Sequence, residues 1–166
     1  MNPADIPNGG RVFVDANIII SALQRRSTQC RDFLMRCNGG AVEGWISTGI
    51  VAEISHRRMI QEAQEKGLLP SNPARFLGRH PEMIRQLSAY ANDIRNLLDG
   101  GLEVETVRPE DFLVALELQK QHGLLTNDSL NLAVAKRLGL REIVTADSNF
   151  DSVQGVVVYR PDDLRL

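Results

Sequence analysis

RVFVDAN, residues 11–17, and REIVTADSNF, residues 141–150, carry the reading of this chain. Each runs through apolar residues and stops on an acid, Asp15 in the first and Asp147 in the second. A short apolar run bounded by turn signals reads as a buried strand. A carboxylate at the end of such a strand is expensive unless it is paired or bound to a metal. Working outward, IIISAL after Asn17 reads as a helix, and Ser27 to Asn38 as a second one, stopped by Gly39 and Gly40. Val42 to Ile46 reads as a strand, and Ser47 or Thr48 as the N-cap of a helix that carries Glu53 and fades near Gly67. LLPSNPARFLGRHP, residues 68–81, reads as a loop. PEMIRQLSAYANDIRNLLDGG, residues 81–101, reads as one amphipathic helix opened by a proline and closed by glycines. LEVETV is a strand, Pro109 opens a helix that ends at Gly123, and Thr126 or Asn127 caps another from Asp128 to Leu138. EIVTA and VVVY supply the last strands.

Strands separated by helices predict an α/β fold: a three-layer α/β/α sandwich around a central parallel sheet. Right-handed crossovers then gather the strand C-termini at one edge, where such folds place their ligands. Asp15 and Asp147 both sit at such ends.

The 166 residues suit one domain with a real core, 1–166, and 43% hydrophobic with 24% charged residues is ordinary for a globular protein. No apolar run is long enough to span a membrane. The N-terminus lacks a charged start followed by an apolar stretch, so the expected location is cytoplasmic. Cys30 and Cys37 lack a second ligand pair, which argues against zinc and for two reduced, partly buried thiols. The net charge of −2 excludes a broadly basic nucleic-acid binder. The charge is uneven, however: residues 1–85 hold eleven Lys and Arg against eight acids, and residues 86–166 eight against thirteen. Arg25, Arg26, Arg31 and Arg36, with Arg57 and Arg58, can meet phosphates or an acidic partner, or can simply form a solvated helix face.

Taken singly, the acids have ordinary explanations. Asp128 suits a helix N-terminus, Glu53 suits a solvated helix face, and Asp147 suits a turn cap. Taken together at one sheet edge, they would repel one another unless a cation lay among them. An all-oxygen donor set fits magnesium or manganese. A bound divalent ion acidifies a water and offsets charge on a transferring phosphoryl group. His56 follows Glu53 on the same helix face but reads better as a packing or surface histidine. Trp45, the sole tryptophan, reads as core rather than a stacking platform.

Four segments in order carry a resemblance. VFVDAN, ISTGIVAEISHR, GLLTNDSLNLAVAKRLGL and IVTADSNFDSVQGVVVYRP resemble the four acid-bearing motifs of the PIN-domain ribonucleases, particularly VapC-like toxins of toxin–antitoxin pairs. The match covers most of residues 11–161, which would form the PIN-like core. The resemblance implies a metal-dependent endoribonuclease with RNA as substrate, an antitoxin protein as partner, and the homodimerisation common in that family. It implies catalytic roles for Asp15, Glu53, Asp128 and Asp147, with Asp15, Asp128 and Asp147 as ligands of Mg2+ or Mn2+. Asn17, Thr145 and Asp151 would support them or meet the substrate. Ala16 stands where Thr or Ser is frequent in the family, and the extra length lies between Glu53 and Asp128. A non-catalytic module of the same fold, a stand-alone RNA-processing nuclease, and a phosphotransfer domain with Asp15 as nucleophile are the alternatives. The last needs a partner acid and a distal Lys that the motifs do not offer.

Overall fold

The computed structural model describes residues 1–68 and 73–164. Five strands form one sheet: β1 (Gly10–Val14), β2 (Val42–Ser47), β3 (Leu102–Glu105), β4 (Glu142–Val144) and β5 (Val157–Tyr159). Their spatial order is β3-β2-β1-β4-β5, and every pairing is parallel. Among the described residues eight helices accompany them. Helices α1 (Ala16–Leu23) and α2 (Thr28–Asn38) connect β1 to β2. Helices α3 (Thr48–Glu65), α4 (Pro73–Arg79), α5 (Pro81–Ile84) and α6 (Ala89–Leu98) lie between β2 and β3. Helices α7 (Pro109–His122) and α8 (Thr126–Arg137) lie between β3 and β4.

This order explains the three layers. From β1 the chain steps outward to β2 and β3, then crosses back over β1 to β4 and β5. Right-handed crossovers in opposite directions put their helices on opposite faces of the sheet. The reversal makes the C-terminal gap between β1 and β4 a switch point, where a crevice opens. The strands that flank it are fully buried: Val12, Phe13, Val14, Ile143 and Val144 are at most 1% exposed.

Close packing depends on two glycines. A Cβ at Gly44 would meet Leu102 at 2.5 Å and the Cys37 sulfur at 3.0 Å. A Cβ at Gly101 would collide with the Cys37 carbonyl and the Asn38 backbone. Both thiols are buried here, fully rather than partly, and desolvation pushes Cys37 up to about 12.

The structure departs from the sequence expectations in four further places. First, residues 81–101 are not one helix. The chain breaks between α5 and α6, and the buried carboxylate of Glu62 on α3 accepts the N–H groups of Ser88 and Tyr90, both at 2.9 Å. A side chain from another helix thus satisfies the orphan donors that a local cap would otherwise take. Second, Pro73–Arg79 is helical rather than loop, because Leu77 buries against Ala63 and Leu87; the part of that expectation on residues 69–72 lies outside the described residues. Third, the N-cap position of α8 is Leu125, without a side-chain cap bond, so Thr126 and Asn127 already lie inside the helix. Fourth, Trp45 is only partly buried: its Nε1 donates to Glu43 at 2.7 Å, and the Arg11 guanidinium lies over its ring, 5.8 Å from the centroid.

Candidate active site

Asp15 leaves β1 as the N-cap residue of α1, with its N–H donating to the Val144 carbonyl at 3.0 Å. That bond stitches the acid to the end of β4. From β4, Thr145 sends its hydroxyl to Asp15 Oδ2 at 2.7 Å, and Asn17 Nδ2 donates to the same oxygen at 2.7 Å. The Asn17 amide also reaches Thr145 Oγ1 at 3.1 Å, while its Oδ1 accepts the Ala146 N–H at 3.0 Å. Thr145 Oγ1 in turn accepts the Asp147 N–H at 3.0 Å. Asn17 and Thr145 therefore fix Asp15 and carry the chain into Asp147.

The other two acids come from helices on opposite faces. Ser47, wholly buried at the end of β2, accepts the Ile50 N–H at 3.1 Å and so caps α3, the helix that bears Glu53. The same hydroxyl donates to Asn131 Oδ1 on α8 at 3.2 Å, tying that helix to the sheet. Helix α8 is fixed further by Arg137, which donates to both Asp111 oxygens at 2.8 and 3.0 Å, to Glu105 at 3.1 Å and to the Thr106 carbonyl at 2.9 Å. Asp128 occupies the first turn of α8, where the helix field favours a carboxylate. Asn149 braces two acids at once: its Nδ2 donates to Asp128 at 3.0 Å and its N–H to Asp147 at 3.0 Å.

Asp15, Asn17, Glu53, Arg57, Leu125, Thr126, Asn127, Asp128 and Asp147 line one open cleft of about 380 Å³. All four predicted acids thus converge, together with Asn17. Thr145 stands behind Asp15, wholly buried. Asp151 is outside the lining; it pairs with Arg160 at 2.8 Å, and that arginine also donates to the Asp147 carbonyl at 2.7 Å. His56 is exposed and is not part of the cleft lining. Glu53 is partly buried, held by Arg57 at 3.1 Å and by Asn127 Nδ2 at 3.3 Å.

Electrostatics record the convergence. Burial raises the Asp15 carboxyl to about 6; the Thr145 hydroxyl works against this, and Asp128 and Glu53 add to it. Asp128 is also raised, first by burial and then, against its Asn149 bond, by Asp147 and Glu53. Among the described residues, no three acid, His or Cys side chains form a closed ligand set for one ion. The donors are nonetheless hard oxygens whose mutual repulsion a cation would relieve. Magnesium keeps much of its water, so an open set of this kind fits it. The braces are what sequence reading underrated. Asn127 reads only as a helix cap, Asn149 as a residue after the Asp147 turn, Arg57 as one of several arginines that meet phosphate or form a solvated helix face, and nothing in the residue types tied Arg160 to Asp147.

The family model described as PIN domain matches residues 12–156. The chain belongs to the PIN domain family. No curated protein sequence matches this PIN chain. Several solved structures share its fold. VapC20 of Mycobacterium tuberculosis, a sarcin–ricin-loop-cleaving toxin, is 16% identical with a TM-score of 0.59, over 90% of this chain and 99% of that one. VapBC2 of Rickettsia felis, bound to a DNA fragment from its promoter, is 14% identical with a TM-score of 0.59, over 92% and 99%. A toxin–antitoxin complex from Klebsiella pneumoniae is 18% identical with a TM-score of 0.54, over 88% and 95%. At these identities the PIN chain's likeness to them is one of fold. Among the described residues no helix is long and apolar enough to cross a membrane.

Proposed function

We propose that this PIN domain is a divalent-metal-dependent endoribonuclease, held in check by an antitoxin protein. The observation that carries the reading is the convergence of Asp15, Glu53, Asp128 and Asp147 on one cleft, with Asp15 raised to about 6 by burial and by its neighbours. Asp15, Asp128 and Asp147 would hold Mg2+ or Mn2+, and Glu53 would orient water from the α3 wall. When bound, such an ion acidifies water and offsets charge on the phosphoryl oxygens.

The chain's own residues do the rest. Thr145 and Asn17 both donate to one Asp15 oxygen and so fix the carboxylate at the cleft floor. Asn149 donates to both Asp128 and Asp147, which line the same cleft. The cleft is open, so an extended strand can lie across the acids. The phosphotransfer alternative lacks support, because Arg57 is the one cation lining the cleft among the described residues and no lysine reaches it. A partner reading draws support from α7, which leaves Phe112, Leu113, Val114 and Leu116 exposed. Large apolar faces of that kind are usually covered.

The test is cleavage of a panel of transfer, ribosomal and messenger RNAs with Mg2+ or Mn2+, run beside the Asp15→Asn protein. Cleavage should vanish with EDTA and fall by roughly two orders of magnitude or more in the variant. Equal cleavage by the variant would remove the mechanism. Co-purification of a small protein expressed from the neighbouring gene tests the antitoxin.

A further inference from the structure

Arg57 is an anomaly in its surroundings. Among the described residues it is the only cation lining a cleft of four carboxylates, and its side chain is 54% exposed. It lies one turn after Glu53 on α3 and pairs with it at 3.1 Å, i to i+4. An exposed pair of this geometry adds little to stability. A structural reason for the arginine is therefore weak, and a guanidinium beside a phosphodiester-cleaving site has an evident ligand.

A second observation extends the line. One further turn along the same helix face, roughly 6 Å on, stands Gln61. Gln24 Nε2 donates to Gln61 Oε1 at 2.6 Å, which joins the end of α1 to this face of α3. The residue after Gln24 is Arg25, exposed, with a φ of +56°. It is the one non-glycine residue with positive φ among the described residues, and it occupies a place after a helix end where glycine normally stands. Local stability would favour glycine there. The Gln24–Gln61 bond thus sets an exposed arginine beside the end of the α3 face that begins at Glu53 and Arg57.

We propose that Arg57 and Arg25 form a phosphate track that leads single-stranded RNA into the acidic cleft, with Arg57 exchanging Glu53 for a backbone phosphate when the strand arrives. The proposal rests on the nuclease reading and adds how a chain of net charge −2 grips a polyanion. Guanidinium pairs with phosphate through parallel N–H donors, so such contacts fix a strand's register without reading its bases. Release of Arg57 leaves Glu53 held by Asn127 alone.

The experiment measures binding, not turnover. The full-length Asp15→Asn protein is titrated with a fluorescent single-stranded RNA of mixed sequence, at fixed low Mg2+ and rising KCl. Each phosphate contact on a single strand contributes a slope of about 0.7 in log affinity against log salt. Arg57→Ala and Arg25→Ala, each added to that protein, should each flatten the slope by about this amount, and the double change by about twice as much. Arg57→Lys should restore most of the slope, because it restores the charge. Arg25→Gly should raise the melting temperature and still flatten the slope, a combination that a purely structural role does not produce. Slopes unchanged in the Arg57→Ala and Arg25→Ala proteins would overturn the track and leave the nuclease reading standing. No RNA binding by the Asp15→Asn parent would overturn the nuclease reading, and the track with it. Tighter binding of duplex than of single-stranded RNA would overturn the single-strand path.

Discussion

Replacing Asp15 with Asn should make the metal-free protein more stable while removing its activity. The folded-state value of about 6 lies above the ordinary 3.8. Between these values the folded protein holds a proton that the unfolded chain has released. Stability therefore falls as pH rises through this window, and the full penalty stands above it. A rise from 3.8 to about 6 corresponds to about 3 kcal/mol. The substitution keeps the geometry, because both donors, Thr145 Oγ1 and Asn17 Nδ2, reach a single oxygen that an amide oxygen can replace. The expected gain is up to about 3 kcal/mol near pH 8 and close to nothing near pH 4, where wild-type Asp15 is already neutral. For a chain of this size that is a rise in Tm of roughly 6–12 °C. Urea unfolding in EDTA at the two pH values measures it. Added Mg2+ should then stabilise the wild type and not the variant, closing the gap by mass action. A variant no more stable than wild type near pH 8, or equally stabilised at both pH values, would refute the reasoning that burial, reinforced by Asp128 and Glu53, makes the Asp15 charge costly.

Other perturbations bear on the frame around the site. Burial alone would raise Glu62, but Lys66 and the amides of Tyr90, Ser88 and Ala89 outweigh it and hold the carboxyl down at about 2. Its contribution is thus present above the ordinary 4.5 and is lost as pH falls toward 2. Glu62→Gln should cost about 2–3 kcal/mol at neutral pH, with the cost shrinking in acid, as read by urea unfolding across that range. Arg137→Ala leaves the buried Asp111 without its partner and should destabilise by about 3 kcal/mol, measurable by thermal melting. The Cys37 thiol, pushed up to about 12, should resist a thiol reagent in the folded protein and react only on unfolding, so its labelling rate should climb with urea.

The parts of this molecule that were legible in the sequence are those governed by local pattern. Apolar runs marked β1 and β4, and the acids at their ends followed from chain direction and sheet handedness. Ser47 as a cap, and Gly123 closing α7 in the left-handed conformation, needed only their neighbours in the chain. What escaped depends on contacts across the fold. The periodic apolar pattern of residues 81–101 is real, yet Glu62, about 26 residues earlier, supplies the break. Nothing near Leu125 marks it as the entry to α8, because Ser47 and Arg137 position that helix from elsewhere. Asn149 and Asn127 look like ordinary turn and cap residues until tertiary packing puts them beside Asp128 and Glu53. The four acids could be named from the sequence, with Asn17 and Thr145 beside Asp15, but the Asn127, Asn149 and Arg160 donors around the other acids could not.

The pairing of β1 with β4 sets a timetable for the cleft. Phe13 lies beside Ile143, and Val14 beside Val144, so the floor of the cleft joins segments about 130 residues apart. At a ribosomal rate of roughly 5–20 residues per second, Asp15 has been exposed for on the order of ten seconds before Thr145 and Asp147 are synthesised. Pairings of such long range also form slowly once the chain is complete. A nascent chain that ends before β4 therefore lacks Thr145 and Asp147 and has no complete cleft. The strand order alone keeps a chain under synthesis on the ribosome from assembling this site.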